Sequence, residues 1–268
     1  MTTMDARPLI VHIVHRFGVG GLENGLANLL NRLPPALARH CVLSLTSTDP
    51  EFARRVRTPD VEFVALDKPA GQTARILPAV YRALRERRPC VVHTRNIATL
   101  ECQLAAWAAR VPVRMHGEHG WDVNDLHGSS RRYAWLRRMV RPFVHHQVAL
   151  SRRTARYLQD VIRVAPSRVT ELCNGVDVDR FAPSEAGRSS ALLQKAPAGW
   201  KQAEDPFVVG TVGRLATVKN QRLLCEAFLA LREANPSFRR HGRLLLVGDG
   251  PDREMLEAML RGAGALEA

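Results

Sequence analysis

The sequence predicts an α/β protein built on a doubly wound parallel sheet, and three observations carry that expectation. Short apolar runs alternate with longer segments of helical period along most of the chain. The runs are continuously apolar, as in strands covered on both faces. Glycine-rich turns stand where a strand gives way to a helix. A length of 268 residues, against about 150 per domain, suggests nearly two such units.

LIVHIV, from Leu9, is the first strand, and Leu22–Leu33 the helix after it. HCVLSLT and VEFVAL follow as strands, with the next helix over Thr73–Arg87. CVVHTR leads into a helix over Ala98–Ala109, and VPVRMHG and HHQVALS are two further strands. Between those two lies SRRYAWLRRMVR, Ser130–Arg141, in which Arg131, Arg132, Arg137, Arg138 and Arg141 interleave with apolar residues. At helical spacing Leu136, Met139 and Val140 share a face, Tyr133 and Trp135 flank it, and the arginines lie toward the other side. The segment therefore reads as a surface helix packed on the core.

Composition shifts after Asn174–Pro183, where APSEAGRSSALLQKAPAGWKQAEDP mixes small, polar and proline residues. This predicts a first domain with its linker over 1–186 and a second domain over 187–268. The second holds PFVVGTVGRL with a helix over Asn220–Glu233, then RLLLVGDG with a helix over Asp252–Leu260. Two parallel strands and their helices make a poor independent domain, so the second domain is expected to be incomplete.

Hydrophobic residues at 46% and charged residues at 24% exclude collagen-like, low-complexity and wholly disordered classes. No run approaches the roughly twenty apolar residues of a membrane helix, and MTTMDARP lacks a signal-peptide pattern, so the expected compartment is the cytoplasm. Lys+Arg 39 against Asp+Glu 26, a net charge of +13, favours phosphate-bearing partners. The basic residues are dispersed and no helix-turn-helix, zinc or aromatic-sheet signature accompanies them, so nucleic acid is not the expected partner. Cys41, Cys90, Cys102, Cys173 and Cys225 form no CxxC pair and read as buried, reduced thiols. His12 and His15, His116 and His119, and His145 and His146 form pairs without carboxylate or thiolate ligands placed to complete a site, so no metal is expected.

Several segments carry chemistry. Gly18-Val19-Gly20-Gly21 opens the first helix, and free helix-start N–H groups there suit an anion. Glu23 stands where a dinucleotide pattern needs its third glycine, which disfavours a nicotinamide-dependent oxidoreductase. His119 lies in MHGEHGWD, where a strand emerges into a loop; taken alone it would read as a structural histidine. Asn174-Gly175-Val176-Asp177 forms a turn at the domain junction, hinge-forming first, with Gly175 permitting the turn and Asp177 capping it. Arg214 and Lys219 bracket a strand-helix turn at a spacing that lets both reach one phosphate. A lysine near a helix N-terminus is unfavourable unless an anion compensates it. VGDGP at Val247–Pro251 repeats the strand-turn-helix pattern.

Taken together and in this order, these motifs resemble the large retaining glycosyltransferase family of GT-B architecture. HGEHGWD, VALS, NGVD and GRLATVKN look closest to the sugar transferases associated with bacterial exopolysaccharide and exosortase-type systems. The resemblance implies transfer of a hexose, with retention, from a nucleotide-diphosphate sugar to a glycan or lipid-linked acceptor, without a cofactor. It implies that Arg214, Lys219, Gly20 and Gly21 hold the donor phosphates. It assigns His119 to contact the donor sugar or position the acceptor, with His116 the near alternative. Glu118, Asn174 and Gly248 are further expected cleft residues.

Relatives that glycosylate lipid-linked acceptors imply a second expectation, that the basic face over Arg131–Arg141 meets anionic lipid at the inner face of the cell membrane. The family's pair of glutamates separated by seven residues is not found: no Glu has another eight positions later, and Glu226 and Glu233 come closest. The chain is therefore expected to be C-terminally truncated and to turn over little or nothing alone. The alternative expectation is a non-catalytic remnant that binds an acceptor or partner protein through its first domain.

Overall fold

The computed structural model describes residues 6–69, 71, 73–120, 125, 128–179, 181–182 and 206–266. The chain divides into two compact units, Met1–Val176 and Asp177–Ala268. The boundary expected at 186 lies outside the described residues.

The first unit runs β1 (Leu9–Val14), α1 (Gly21–Arg32), β2 (Arg39–Ser44), α2 (Pro50–Ala53), β3 (Val61–Ala65), a 3-10 turn (Thr73–Ile76), α3 (Leu77–Arg87) and β4 (Val91–Arg95). It continues with α4 (Ile97–Leu100), α5 (Cys102–Ala108), β5 (Val113–Glu118), α6 (Arg131–Val140), β6 (His146–Ala149), α7 (Arg152–Asp160) and β7 (Val169–Glu171). The strands form one seven-stranded sheet of order β3-β2-β1-β4-β5-β6-β7, parallel throughout. Chain order reverses between β1 and β4, which puts the crevice of a doubly wound sheet outside the carboxyl ends of those strands.

Continuous apolar runs become strands buried on both faces because each face carries its own core. Val11, Ile13, Cys41, Leu43 and Val92 pack with Val80 and Leu84 of α3 and Ala106 of α5. Val14 and Val42 pack with Leu26 and Leu30 of α1, Phe17 and Phe52. The expected helix over Ala98–Ala109 forms as two pieces. The first is tied back to the strand it leaves: the Thr99 hydroxyl donates to the Arg95 carbonyl at 2.7 Å and accepts from the Arg95 N–H at 2.7 Å.

The second unit holds β8 (Phe207–Val212), α8 (Gln221–Ala234), α9 (Pro236–His241), β9 (Gly242–Val247) and α10 (Arg253–Gly262). Its strands pair in parallel from Phe207 with Gly242 to Val212 with Val247. Leu215, Cys225, Leu256 and Leu260 make its core.

Two expectations change. Cys41, Cys102 and Cys225 are buried free thiols, but Cys90 and Cys173 are exposed because they flank strands rather than lie on their covered faces. On α6 Leu136, Val140 and Tyr133 pack inward as expected and Arg137 is buried with them, whereas Met139 is 54% exposed and Trp135 61% exposed. An ion pair described below holds Arg137 in that buried position. No helix of the described residues is long and apolar enough to cross a membrane.

Candidate functional site

At the carboxyl edge of the first unit's sheet, four chain segments converge: the turn from β1 to α1, and the ends of β4, β5 and β6. Gly20 caps α1 in an extended conformation and offers no side chain to the helix-start N–H groups. The Glu23 carboxylate, on the first turn, folds back over Gly20. Burial raises the Glu23 pKa, and its backbone N–H, Arg16 and Arg95 pull the other way. Asn174 reaches the same helix, its Oδ1 lying 3.6 Å from where a Cβ on Gly25 would stand.

His116 and His119, three residues apart, have different surroundings. His116 is fully buried in a closed network: Gln103 Nε2 donates to the Thr94 hydroxyl at 2.7 Å, and that hydroxyl lies 2.8 Å from His116 Nδ1. The Thr94 hydroxyl also reaches the Met115 carbonyl at 3.4 Å, and His116 Nε2 stands 3.4 Å from Glu118 Oε1. His119 stands on the loop side, its ring over Gly117 beside that of His93. Its backbone N–H donates to Asn96 Oδ1 at 2.7 Å, and its ring nitrogens have no hydrogen-bond partner among the described residues. Burial, then the charges of Arg95 and His116, lower its pKa to about 4 against a weaker opposing pull from Glu118. At neutral pH it is an uncharged imidazole, suited to exchanging hydrogen bonds with hydroxyls.

Glu118 is engaged elsewhere. Arg137 Nε and Nη2 donate to its two oxygens at 2.6 and 3.0 Å, both side chains are buried, and the pairing with His116 and Arg137 overcomes burial to hold its carboxyl at about 2. The carboxylate anchors α6 and leaves little capacity for a substrate. The other arginines of that helix divide between structure and solvent. Arg138 donates to the Val161 carbonyl and Arg141 to those of Ile162 and Arg163, while Arg131 and Arg132 are exposed.

Sequence reasoning missed Arg95 and Asn96. Arg95 ends β4 and is 4% exposed, with Nη2 3.2 Å from His12 Nδ1. A guanidinium only donates, so His12 accepts there, carries its proton on Nε2 and donates to His40 Nδ1 at 3.1 Å. Asn96, at φ 59° and ψ 169°, adopts a backbone conformation that belongs essentially to glycine. The available signal was an arginine closing the buried run CVVHTR.

In the second unit, Arg214 and Lys219 occupy the turn from β8 to α8, both exposed and without a carboxylate partner among the described residues. The Arg214 carbonyl accepts from Gln221 Nε2 at 3.0 Å, which ties that turn to the helix start. Asn220 caps α8 in the left-handed region with no side-chain hydrogen bond; the Leu223 N–H donates to the Asn220 carbonyl at 3.2 Å, which leaves the Gln221 and Arg222 N–H groups open among the described residues. Gly248, at φ 150°, has the Gly213 carbonyl where a Cβ would be, so its requirement is close approach of two turns. Among the described residues no group of three His, Cys, Asp or Glu side chains is placed to hold a metal.

Fold and relatives define a class: a protein of GT-B glycosyltransferase architecture. The crystal structure of the Anabaena protein HepE in complex with UDP and glucose superimposes with a TM-score of 0.70 at 20% identity, over 97% of this chain and 67% of that one. The Glycosyltransferase Family 4 profile matches residues 19–180, and the chain belongs to that family. A GDP-mannose-dependent alpha-mannosyltransferase of Corynebacterium glutamicum is 30% identical over 216 residues, 76% of this chain and 46% of that protein. The UDP-Gal:alpha-D-GlcNAc-diphosphoundecaprenol alpha-1,3-galactosyltransferase of Escherichia coli is 27% identical over 177 residues, 65% of this chain and 44% of that protein. The chain spans about half the length of these two relatives.

Proposed function

We propose that the protein transfers a hexose, with retention, from a nucleotide-diphosphate sugar to a glycan or lipid-linked acceptor in exopolysaccharide or cell-envelope glycan synthesis. The observation that carries this reading is the β8–α8 turn, where two cations without a carboxylate partner among the described residues stand with the uncapped Gln221 and Arg222 amides. Sugar transfer leaves negative charge on the departing diphosphate, and preorganised cations and amides aimed at that charge lower the barrier. Arg214 and Lys219 take this role. His119, neutral and with free ring nitrogens, contacts the sugar or positions the acceptor. The Gly20-Gly21 turn and Asn174 line the same edge of the first unit, His116 and Glu118 support it from beneath, and Gly248 sets the spacing of the Arg214 turn.

Two named relatives support the chemistry: one uses GDP-mannose, the other UDP-Gal with a diphosphoundecaprenol-linked acceptor, and both are described as forming alpha linkages. An alpha linkage from an alpha-linked donor is retention. A lipid-linked acceptor also gives the exposed Trp135 and Met139 beside Arg131 and Arg132 a role as a peripheral contact at the inner membrane face. The test is incubation of a chain extended to its relatives' length, of which this one spans about half, with UDP- and GDP-sugars and a diphosphate-linked lipid acceptor. Sugar incorporation with retained anomeric configuration is expected. Absence of both incorporation and nucleotide-diphosphate binding would remove the reading.

A further inference from the structure

We propose that a cavity at the amino-terminal edge of the first unit's sheet, rimmed by Arg85, Arg88 and Arg110, binds a small organic anion, a phosphate monoester or carboxylate borne on an apolar body. The cavity opens where α3 and α5 end and β4 and β5 begin, and measures about 260 Å³. Leu84, Ala109 and Val111 give it an apolar floor, and among the described residues no acidic side chain lines it. All three arginines are exposed, and among the described residues none of their guanidinium groups has a hydrogen-bond or ion-pair partner. Arg87, which stands between two of them in sequence, is paired with Glu62 at 2.6 Å and reaches Glu86 at 3.8 Å. Those two carboxylates are thus engaged with one arginine, and the other three share one cavity without a counter-charge. Like charges gathered in this way repel, and a bound anion relieves the repulsion.

The backbone around the cavity supports the same reading. Arg88, at φ 47°, and Arg110, at φ 59°, both lie in the left-handed region, where glycine or asparagine would be less strained. Two arginines held there, on two turns that meet at one cavity, point to a requirement for the side chain. Helix C-termini attract cations through their open carbonyls, which would be the plain reason for arginines here. Those carbonyls are already occupied. The Arg88 N–H donates to the Leu84 carbonyl at 2.9 Å, the Arg110 N–H to that of Trp107 at 2.9 Å and the Val111 N–H to that of Ala106 at 3.0 Å. The guanidinium groups therefore remain available to a ligand, and their planar forks match a phosphate or carboxylate. The floor adds the second half of the specificity, because an anion that also carries an apolar group covers Leu84 and Val111. β4 and β5 run from this cavity toward Asn96 and His119 beyond their opposite ends, so the two sites do not overlap. The inference does not rest on glycosyl transfer.

The experiment is titration calorimetry of the 268-residue chain with phenyl phosphate and with benzoate, each with and without saturating UDP. Phenyl phosphate should bind, less tightly as salt is raised, and Arg88→Gln combined with Arg110→Gln should weaken it by about tenfold or more. Saturating UDP should leave the affinity unchanged. A matching loss for benzoate widens the site to carboxylates, and a loss for phenyl phosphate alone narrows it to phosphate monoesters; either upholds it. Cys90, exposed at the same cavity, reports occupancy without a variant: phenyl phosphate should slow its alkylation by iodoacetamide, read on the Cys90 peptide, and leave that of Cys173 unchanged. Absence of phenyl phosphate binding, unchanged affinity in a folded double variant, or displacement of the probe by UDP overturns the site. If the double variant does not fold, an unprotected Cys90 overturns it. Binding at the cavity in a protein that transfers no sugar at its relatives' full length would remove the enzymatic reading and leave this site standing.

Discussion

Asn96 and His119 are clamped together across the ends of β4 and β5. The His119 N–H donates to Asn96 Oδ1 at 2.7 Å while the Asn96 N–H donates to the Gly117 carbonyl at 2.8 Å. The clamp holds Asn96 in its glycine-like conformation. Asn96→Ala keeps the strain and loses the bond, and should destabilise the protein by about 1–3 kcal/mol. Asn96→Gly relieves the strain and should cost less. Urea denaturation compares the two, and equal losses would show that the backbone stores no strain there.

Arg137→Ala leaves the Glu118 carboxylate buried with only His116 beside it, so a loss of about 3–5 kcal/mol is expected. Replacing both partners, Arg137→Met with Glu118→Gln, should be milder than the single change. A single variant within about 1 kcal/mol of the parent would mean that water reaches the carboxylate.

Stability should fall in two stages as pH is lowered. The buried His12, His93 and His119 have pKa values below the usual 6.5, so the unfolded chain takes up protons first and stability declines from 6.5 toward about 4. Glu118, at about 2 rather than the usual 4.5, loses its contribution between those values. Both stages run in the same direction. Identical urea midpoints at pH 7 and pH 5 would contradict the first stage.

Arg214→Ala and Lys219→Ala lie on an exposed turn and should leave the fold intact. Each should lower the affinity for UDP or GDP by about tenfold, through loss of a charge-assisted phosphate contact. Parental affinity in both would end their assignment to the diphosphate.

Sedimentation with anionic vesicles tests the exposed side of α6. Binding should fall at high salt and fall again in Trp135→Ala, since the contact combines basic and apolar groups. Salt-independent binding, or none, would remove the membrane contact.

The strands of the central sheet were legible because burial on both faces writes a continuous apolar run into the sequence. β7 was not: its three residues VTE form an outer strand with little covered surface. α7, RRTARYLQD, was hidden by its charge, although Ala155, Tyr157 and Leu158 pack against Ala149 beneath it. In the candidate site, the His116–His119 ambiguity needed three dimensions, because only the network through Thr94 and Gln103 separates them. The Glu118–Arg137 pair was illegible for the same reason, its partners being 19 residues apart on different elements. The apolar face assigned to α6 ignored that an arginine, once paired, can take a core position.

Gly248 fixes the position of a residue it does not contact. The peptide carbonyl pressed against it belongs to Gly213, whose bond leads directly into Arg214, and the Gly213 N–H is itself held by the Val247 carbonyl at 2.8 Å. Position 248 therefore works as a spacer gauge: a single added methyl group would wedge the two turns apart and carry the arginine's backbone with it. Under the role proposed for Arg214, such a change should alter nucleotide affinity with the Arg214 side chain itself untouched.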